Sequence, residues 1–187
     1  MRTENEMSVI KEVKKYTLED YYSFPEWDLT EMIDGELYDI NGGRPTIHQQ
    51  ICVAISSSAA NYHRKNKLHW YVLSFINVES NEFTVVIPDI AVICDKNKIN
   101  ERGCEGTPDF IIEIISEHPA HDYVTKLNTY YKCGVREYWI VDPKKETVNV
   151  YLLDENYAVK QYQFSDDVPV SIYNGELKIN IAELLSE

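Results

Sequence analysis

The chain has 187 residues, 44% of them hydrophobic and 14 of them tyrosine, enough apolar material for one domain with a substantial core, which excludes a disordered chain. Its formal net charge of −13 excludes an extended phosphate-neutralising surface, so any nucleic-acid contact must be local, metal-assisted or weak. No apolar run approaches the roughly 20 residues that cross a bilayer, and the start of the chain is too charged for a secretory signal. A soluble, cytoplasmic protein is expected. Cys52, Cys94, Cys104 and Cys133 show no CxxC spacing, so neither a zinc ribbon nor a disulfide framework is suggested.

In chain order, residues 1–13 are polar and aperiodic and read as a loose lead-in. Thr17 can cap a helix over residues 16–24, with Asp20 three residues later as a near match to a capping box, and Pro25 ends it. Residues 31–43 read as a hairpin that turns at Asp34-Gly35, alternates through Glu36-Leu37-Tyr38-Asp39-Ile40 and closes at Gly42-Gly43. From Thr46 to Lys67 the apolar residues Ile47, Ile51, Ala54, Ile55, Ala59 and Tyr62 recur at helical spacing. The basic end, His63 to Lys67, suits the negative pole of a helix dipole.

Residues 69–79 then read as a strand, 80–82 as a turn, and 83–94 as an apolar run interrupted at Pro88-Asp89. A polar loop over 95–106 leads to a strand at 110–115 and a helix at 120–132, with Gly134 placed to stop it. Strands at 135–142, 147–153 and 157–164 follow, separated by turns at 143–146 and 154–156, with a short helix at 180–185. No internal repeat appears, so residues 1–187 are read as a single domain. The pattern predicts an α/β fold, a mixed sheet flanked by helices, in which strand 110–115, its helix and strand 135–142 form a right-handed parallel crossover.

Two acids interrupt apolar runs: Asp89 after Pro88, and Glu113 between Ile112 and Ile114. An unpaired carboxylate inside a buried strand is costly, so both positions point to function, although Asp89 also suits a bulge or strand edge. Lys126 follows on the next helix, where an exposed ion pair with Asp122 four residues earlier would equally account for it. Two carboxylates and a lysine suit a divalent cation that lowers the pKa of a water and stabilises a phosphoryl group. Glu36 reads as an accessory acid or a solvated hairpin residue. Asp109 and Asp142 read as loop and turn residues, and His48, Gln49 and Gln50 as a polar helix start. His118 and His121 lack zinc-ligand spacing and read as loop residues. No glycine-rich phosphate loop or GxSxG elbow is present.

The ordered segments IDGELYDI, HQQI, VIPDIAVIC, TPDFIIEIIS, D-x-x-x-K-x-x-x-Y and GVREYWIVDP resemble the Uma-two family, described as restriction endonucleases and a branch of the PD-(D/E)XK nuclease superfamily. The resemblance runs from about Thr17 to Leu153. It implies a restriction endonuclease-like core, with Asp89 as the motif aspartate, Glu113 as the second acid and Glu36 as the acid of the N-terminal segment. Ile115 stands where the superfamily's plain E-x-K has its lysine, and Lys126 matches a lysine that has migrated to the next helix. The implied activity is hydrolysis of DNA phosphodiester bonds with Mg²⁺ or Mn²⁺. Asp89, Glu113 and Glu36 would be metal-binding, Lys126 would assist the water, and a homodimer follows by analogy. The alternatives are a nuclease-fold protein that binds a partner without cutting, favoured by the acidity, and an acidic nucleic-acid mimic.

Overall fold

The structure is a computed structural model that describes residues 14–25, 29–40, 42–116, 121–154 and 158–186. The expected lead-in at 1–13, His118, and most of the turn at 154–156 lie outside them. A short helix α1 (Leu18–Tyr21) starts at Thr17, whose side chain and that of Asp20 make a complete, reciprocal capping box. The hairpin is β1 (Thr30–Ile33) and β2 (Glu36–Asp39), turning at Asp34-Gly35. Helix α2 (Thr46–Asn66) follows and stops at Lys67 in the left-handed conformation.

The next two predicted strands are each broken in two. β3 (Tyr71–Leu73) and β4 (Asn77–Asn81) replace the single strand at 69–79, and β5 (Thr84–Val86) and β6 (Ile90–Ile93) replace the run at 83–94. Together they form one long hairpin bent in the middle. Leu73 pairs with Ala91 at one end and Val78 with Val86 at the other, and each end belongs to a different sheet. Two local features make the bend. Pro88 has no N–H to give to a ladder, and Phe75 adopts a left-handed φ of 55° while its amide donates to the Pro88 carbonyl at 3.1 Å. The expected polar loop at 95–106 also contains two short strands, β7 (Ile99–Asn100) and β8 (Gly103–Glu105).

β9 (Phe110–Ile114) leads through one wide turn of π-helix (His121–Lys126) into α3 (Leu127–Cys133), which ends on Gly134 at φ 85°. β10 (Glu137–Asp142) then lies parallel to β9, as the crossover requires. β11 (Thr147–Leu152) and β12 (Ala158–Gln163) extend that sheet by antiparallel pairing. A small hairpin of β13 (Val168–Pro169) and β14 (Lys178–Ile179), not expected from the sequence, precedes α4 (Ile181–Ser186).

The architecture is α+β, with two mixed sheets and helices against them. The first sheet has the order β2-β1-β5-β4-β8-β7 and the second β12-β11-β10-β9-β6-β3. Alternation along β9 divides the core in two. Phe110, Ile112 and Ile114 pack with Ile51 and Ile55 of α2, whereas Ile111 and Ile115 pack with Ile33, Val78 and Val86 of the first sheet and Tyr130 of α3. Glu113 shares the parity of Ile111 and Ile115, so it enters the layer between the sheets.

Gly103 holds the two parallel strands β4 and β8 at close approach. It sits at φ 142° opposite Asn77, and a Cβ there would collide with the Asn77 carbonyl oxygen. Gly103→Ala is expected to cost roughly 2–4 kcal/mol of stability, read as a lower urea midpoint with an unchanged slope.

Candidate active site

Strands β6 and β9 run antiparallel, with Ile90 opposite Ile112. Asp89 is the residue just beyond that last pair and Glu113 the one just after Ile112, so the same register carried one step further sets them opposite each other and on one face. The two carboxylates therefore share a side, both at least 95% buried, and the Asp89 amide donates to Glu113 Oε2 at 3.4 Å. Asp89 Oδ2 accepts the Ile114 amide at 2.7 Å and meets His48 Nε2 at 3.1 Å. Arg44 Nε stands 3.8 Å from Oδ1.

Lys126 arrives from the π-turn, whose wider winding re-aims a side chain relative to an α-helix. Its ammonium donates to Glu113 Oε1 at 2.9 Å and is buried rather than exposed. Tyr130, one turn further on, donates its hydroxyl to the same oxygen at 2.6 Å. Asp122 Oδ1 is 3.8 Å from the ammonium, so the expected i, i+4 pair exists, but inside the protein. The cleft at this point has a volume of about 260 Å³ and is lined by Asp89, Glu113, Lys126, Asp122, His48 and Arg44 among others.

The structure thus brings Asp89, Glu113 and Lys126 together and leaves Glu36 out. Glu36 is exposed beside the hairpin turn, where its carboxylate accepts the Tyr38 hydroxyl at 3.2 Å. The acid this hairpin delivers is Glu31. It is fully buried, 3.0 Å from Lys126 Nζ, and its Oε1 also accepts the Ile87 amide at 2.8 Å. The difference is one of position: Glu36 pairs with Ile33 next to the turn, whereas Glu31 lies two residues deeper on the central strand β1. The signal was present in the sequence, since Glu31 precedes the apolar pair Met32-Ile33 just as Glu113 precedes Ile114-Ile115.

Three further groups join the cluster. His121, expected to be a loop residue, belongs to the π-turn, with its Nε2 3.1 Å from Glu31 Oε2 and its ring 4.8 Å from that of Tyr38. His48 is buried in the first turn of α2 against Asp89, and its Nδ1 has no partner among the described residues. Arg44 had no sequence signal at all. Asp142, by contrast, is the last residue of β10 and accepts the amides of Lys144 and Lys145 in the turn that follows. Asp109 accepts the Cys94 amide at 2.9 Å.

Burial dominates the electrostatics. It pushes Glu113 well above the usual carboxylate range, against the pull of Lys126 and with the help of Asp89. For Lys126 burial works against the charge, but Glu113, Glu31 and Asp122 outweigh it and hold the ammonium well above its ordinary value. Glu31 is also opposed by burial, yet Lys126, His121 and the Ile87 amide keep it below the usual range. Lys126 is therefore a fixed cation and a hydrogen-bond donor. Among the described residues, no group of three or more His, Cys, Asp or Glu side chains is arranged to hold a metal ion.

Asp122 is pushed up to about 6, chiefly by burial, from an ordinary value of 3.8. An acid raised on folding disfavours the folded state once pH exceeds its unfolded pKa, and the full penalty is present above its folded pKa. Asp122→Asn is therefore expected to stabilise the metal-free protein by roughly 1–3 kcal/mol at pH 8. The gain should shrink as pH falls from about 6 to about 4, which chemical denaturation in EDTA at several pH values will measure.

A family profile described as "Putative restriction endonuclease" (Uma2, the Uma-two family) matches residues 18–182. Among solved structures, the chain is similar to a protein from Anabaena variabilis described as a "putative nuclease belonging to DUF820". That likeness has a TM-score of 0.72 and 24% identity, covers 91% of this chain and 97% of the other, and bears on the fold alone. No curated protein matches the sequence. With the profile spanning nearly the whole described molecule, including every residue of the buried cluster, the chain belongs to the Uma2 family of restriction-endonuclease description.

Proposed function

We propose that the protein is an endonuclease that hydrolyses phosphodiester bonds in DNA with Mg²⁺ or Mn²⁺. The observation that carries this reading is the contact of the buried Asp89 and Glu113, whose carboxylate accepts the Asp89 amide at 3.4 Å, with the Lys126 ammonium 2.9 Å from Glu113. The donor set suits a hard dication. Four carboxyl groups, from Glu31, Asp89, Glu113 and Asp122, meet around two permanent cations, Lys126 and Arg44, and a divalent ion among them would favour the charged forms of Glu113 and Asp122 that burial opposes. Mg²⁺ commonly takes only one or two carboxylates and keeps several waters, so a third protein ligand is not required.

Asp89 and Glu113 would hold the ion through the oxygens that face the cleft, and Glu31 would act through Lys126 and His121. Bound there, a divalent ion supplies an acidified water and polarises the phosphoryl oxygens. The chain's own groups do the rest. Lys126, fixed as a cation, cannot accept a proton; it orients the attacking water by donation and offsets the charge that develops on the phosphoryl group. Arg44, half-buried at the cleft wall, would meet a second phosphate oxygen. Tyr130 and the Ile114 amide fix the two carboxylates before substrate arrives.

The test is cleavage of supercoiled plasmid and single-stranded DNA at low salt with Mg²⁺ or Mn²⁺. Asp89→Asn, Glu113→Gln and Lys126→Met should each lower the rate by about 100-fold or more. Calorimetry should detect a divalent ion on the wild type and not on Asp89→Asn. Cleavage indifferent to all three substitutions would identify a contaminant, and a protein that neither binds the ion nor cuts would be a nuclease-fold binding protein.

A further inference from the structure

Beside the acid cleft lies a second hollow, of about 520 Å³, within the roughly 300–1,000 Å³ range of binding clefts. Its walls carry the rings of Tyr21, Tyr22, Phe24 and Phe75, together with Arg102. The two hollows are neighbours, because Ile87 lines both. Phe75 ties them more closely. The Arg44 guanidinium lies 4.5 Å from its ring centre, and the His48 ring that bonds Asp89 is stacked against it at 6.4 Å and 21°. On the other wall Arg102 covers the ring of Tyr22, also at 4.5 Å. Tyr22 is anchored by its hydroxyl to Glu79, and Tyr21 by its hydroxyl to the Thr30 carbonyl at 2.8 Å, so the rings are held in place.

These are the parts of a stacking site. Aromatic faces and arginine planes hold unstacked bases, whereas a paired duplex keeps its base faces covered. The charge argues the same way. At a net −13 the chain cannot gain much affinity from phosphates, and Glu101 lines this hollow next to Arg102 while Glu79 holds the Tyr22 hydroxyl, so phosphate neutralisation there is weak. Phe75 also carries backbone strain, since a bulky residue at φ 55° is rare, and the residue remains 36% exposed at the bend between the two sheets.

We propose that this aromatic hollow holds unpaired nucleobases of a single-stranded DNA segment that leads into the cleft at Asp89 and Glu113. The inference rests on the nuclease reading for the purpose of the hollow, but its binding test does not depend on cleavage. Fluorescence anisotropy in EDTA compares a labelled 12-nucleotide oligothymidylate with a hairpin duplex of similar length. The single strand is expected to bind at least about tenfold tighter, with a shallow dependence on salt.

Tyr22→Ala and Phe75→Ala should each weaken single-strand binding by about tenfold. Tyr22→Phe and Phe75→Tyr, which keep the rings, should retain it, and this separates stacking from misfolding or loss of the Glu79 contact. Equal affinity for both DNA forms, no binding of the single strand, or Ala variants that bind like wild type would each overturn the proposal. Plasmid cleavage without a single-strand preference would leave the nuclease reading standing and remove this one. Ring-dependent binding of the single strand without cleavage would do the reverse.

Discussion

The buried ammonium of Lys126 is the interaction around which the molecule is assembled. It touches Glu113 of one sheet and Glu31 of the other, so a single charge on a helix joins both sheets. An uncompensated carboxylate at this depth costs several kcal/mol, and two of them share this one partner. The pairing is completed rather than left partial: Tyr130 satisfies Glu113, and His121 and the Ile87 amide satisfy Glu31. A buried network of this kind is tolerable only when each member has its partners. The π-turn at His121–Lys126 belongs to the same constraint, because it is the segment that delivers His121, Asp122 and Lys126 together.

The second constraint is the bent hairpin. A strand pair that stayed straight would keep Asp89 within one sheet, buried among apolar neighbours. The break at Pro88 ends the ladder just before Asp89, so its carboxylate emerges at the margin of the second sheet, within reach of α2 and Arg44. The partner break at Phe75 lies directly across, joined by a backbone hydrogen bond to Pro88. One structural event, the passage of two strands from sheet to sheet, thus generates both the acid cleft and the aromatic hollow beside it.

Charge then shapes the functional reading. In a chain so acidic, the cations near the cleft are few and committed: Lys126 to the carboxylates, Arg44 to Asp89 and Phe75, and Arg102 to Tyr22. Recognition through rings and local cations is consistent with that scarcity. The family assignment supplies the class of chemistry, and the arrangement of side chains supplies the reason why that chemistry is feasible here.

Much of this was legible in the chain itself. Glu113 inside Phe110-Ile111-Ile112 and Ile114-Ile115, and Asp89 after Pro88, announced buried acids because carboxylates are costly in apolar strands. Apolar spacing likewise marked α2 and the crossover of β9, α3 and β10. Two sheets in place of one, the bend that divides residues 69–94, and the small hairpin before α4 depend on which strands meet, and local patterning is silent on long-range pairing. The same limit explains the acids: Glu36 and Glu31 both alternate within one hairpin, and only the docking of β1 against β5 and the π-turn buries the second and leaves the first in water. His48, His121 and Arg44 entered the cluster by tertiary contact alone, since a polar side chain near a helix start or in a loop looks the same whether it faces solvent or a buried carboxylate.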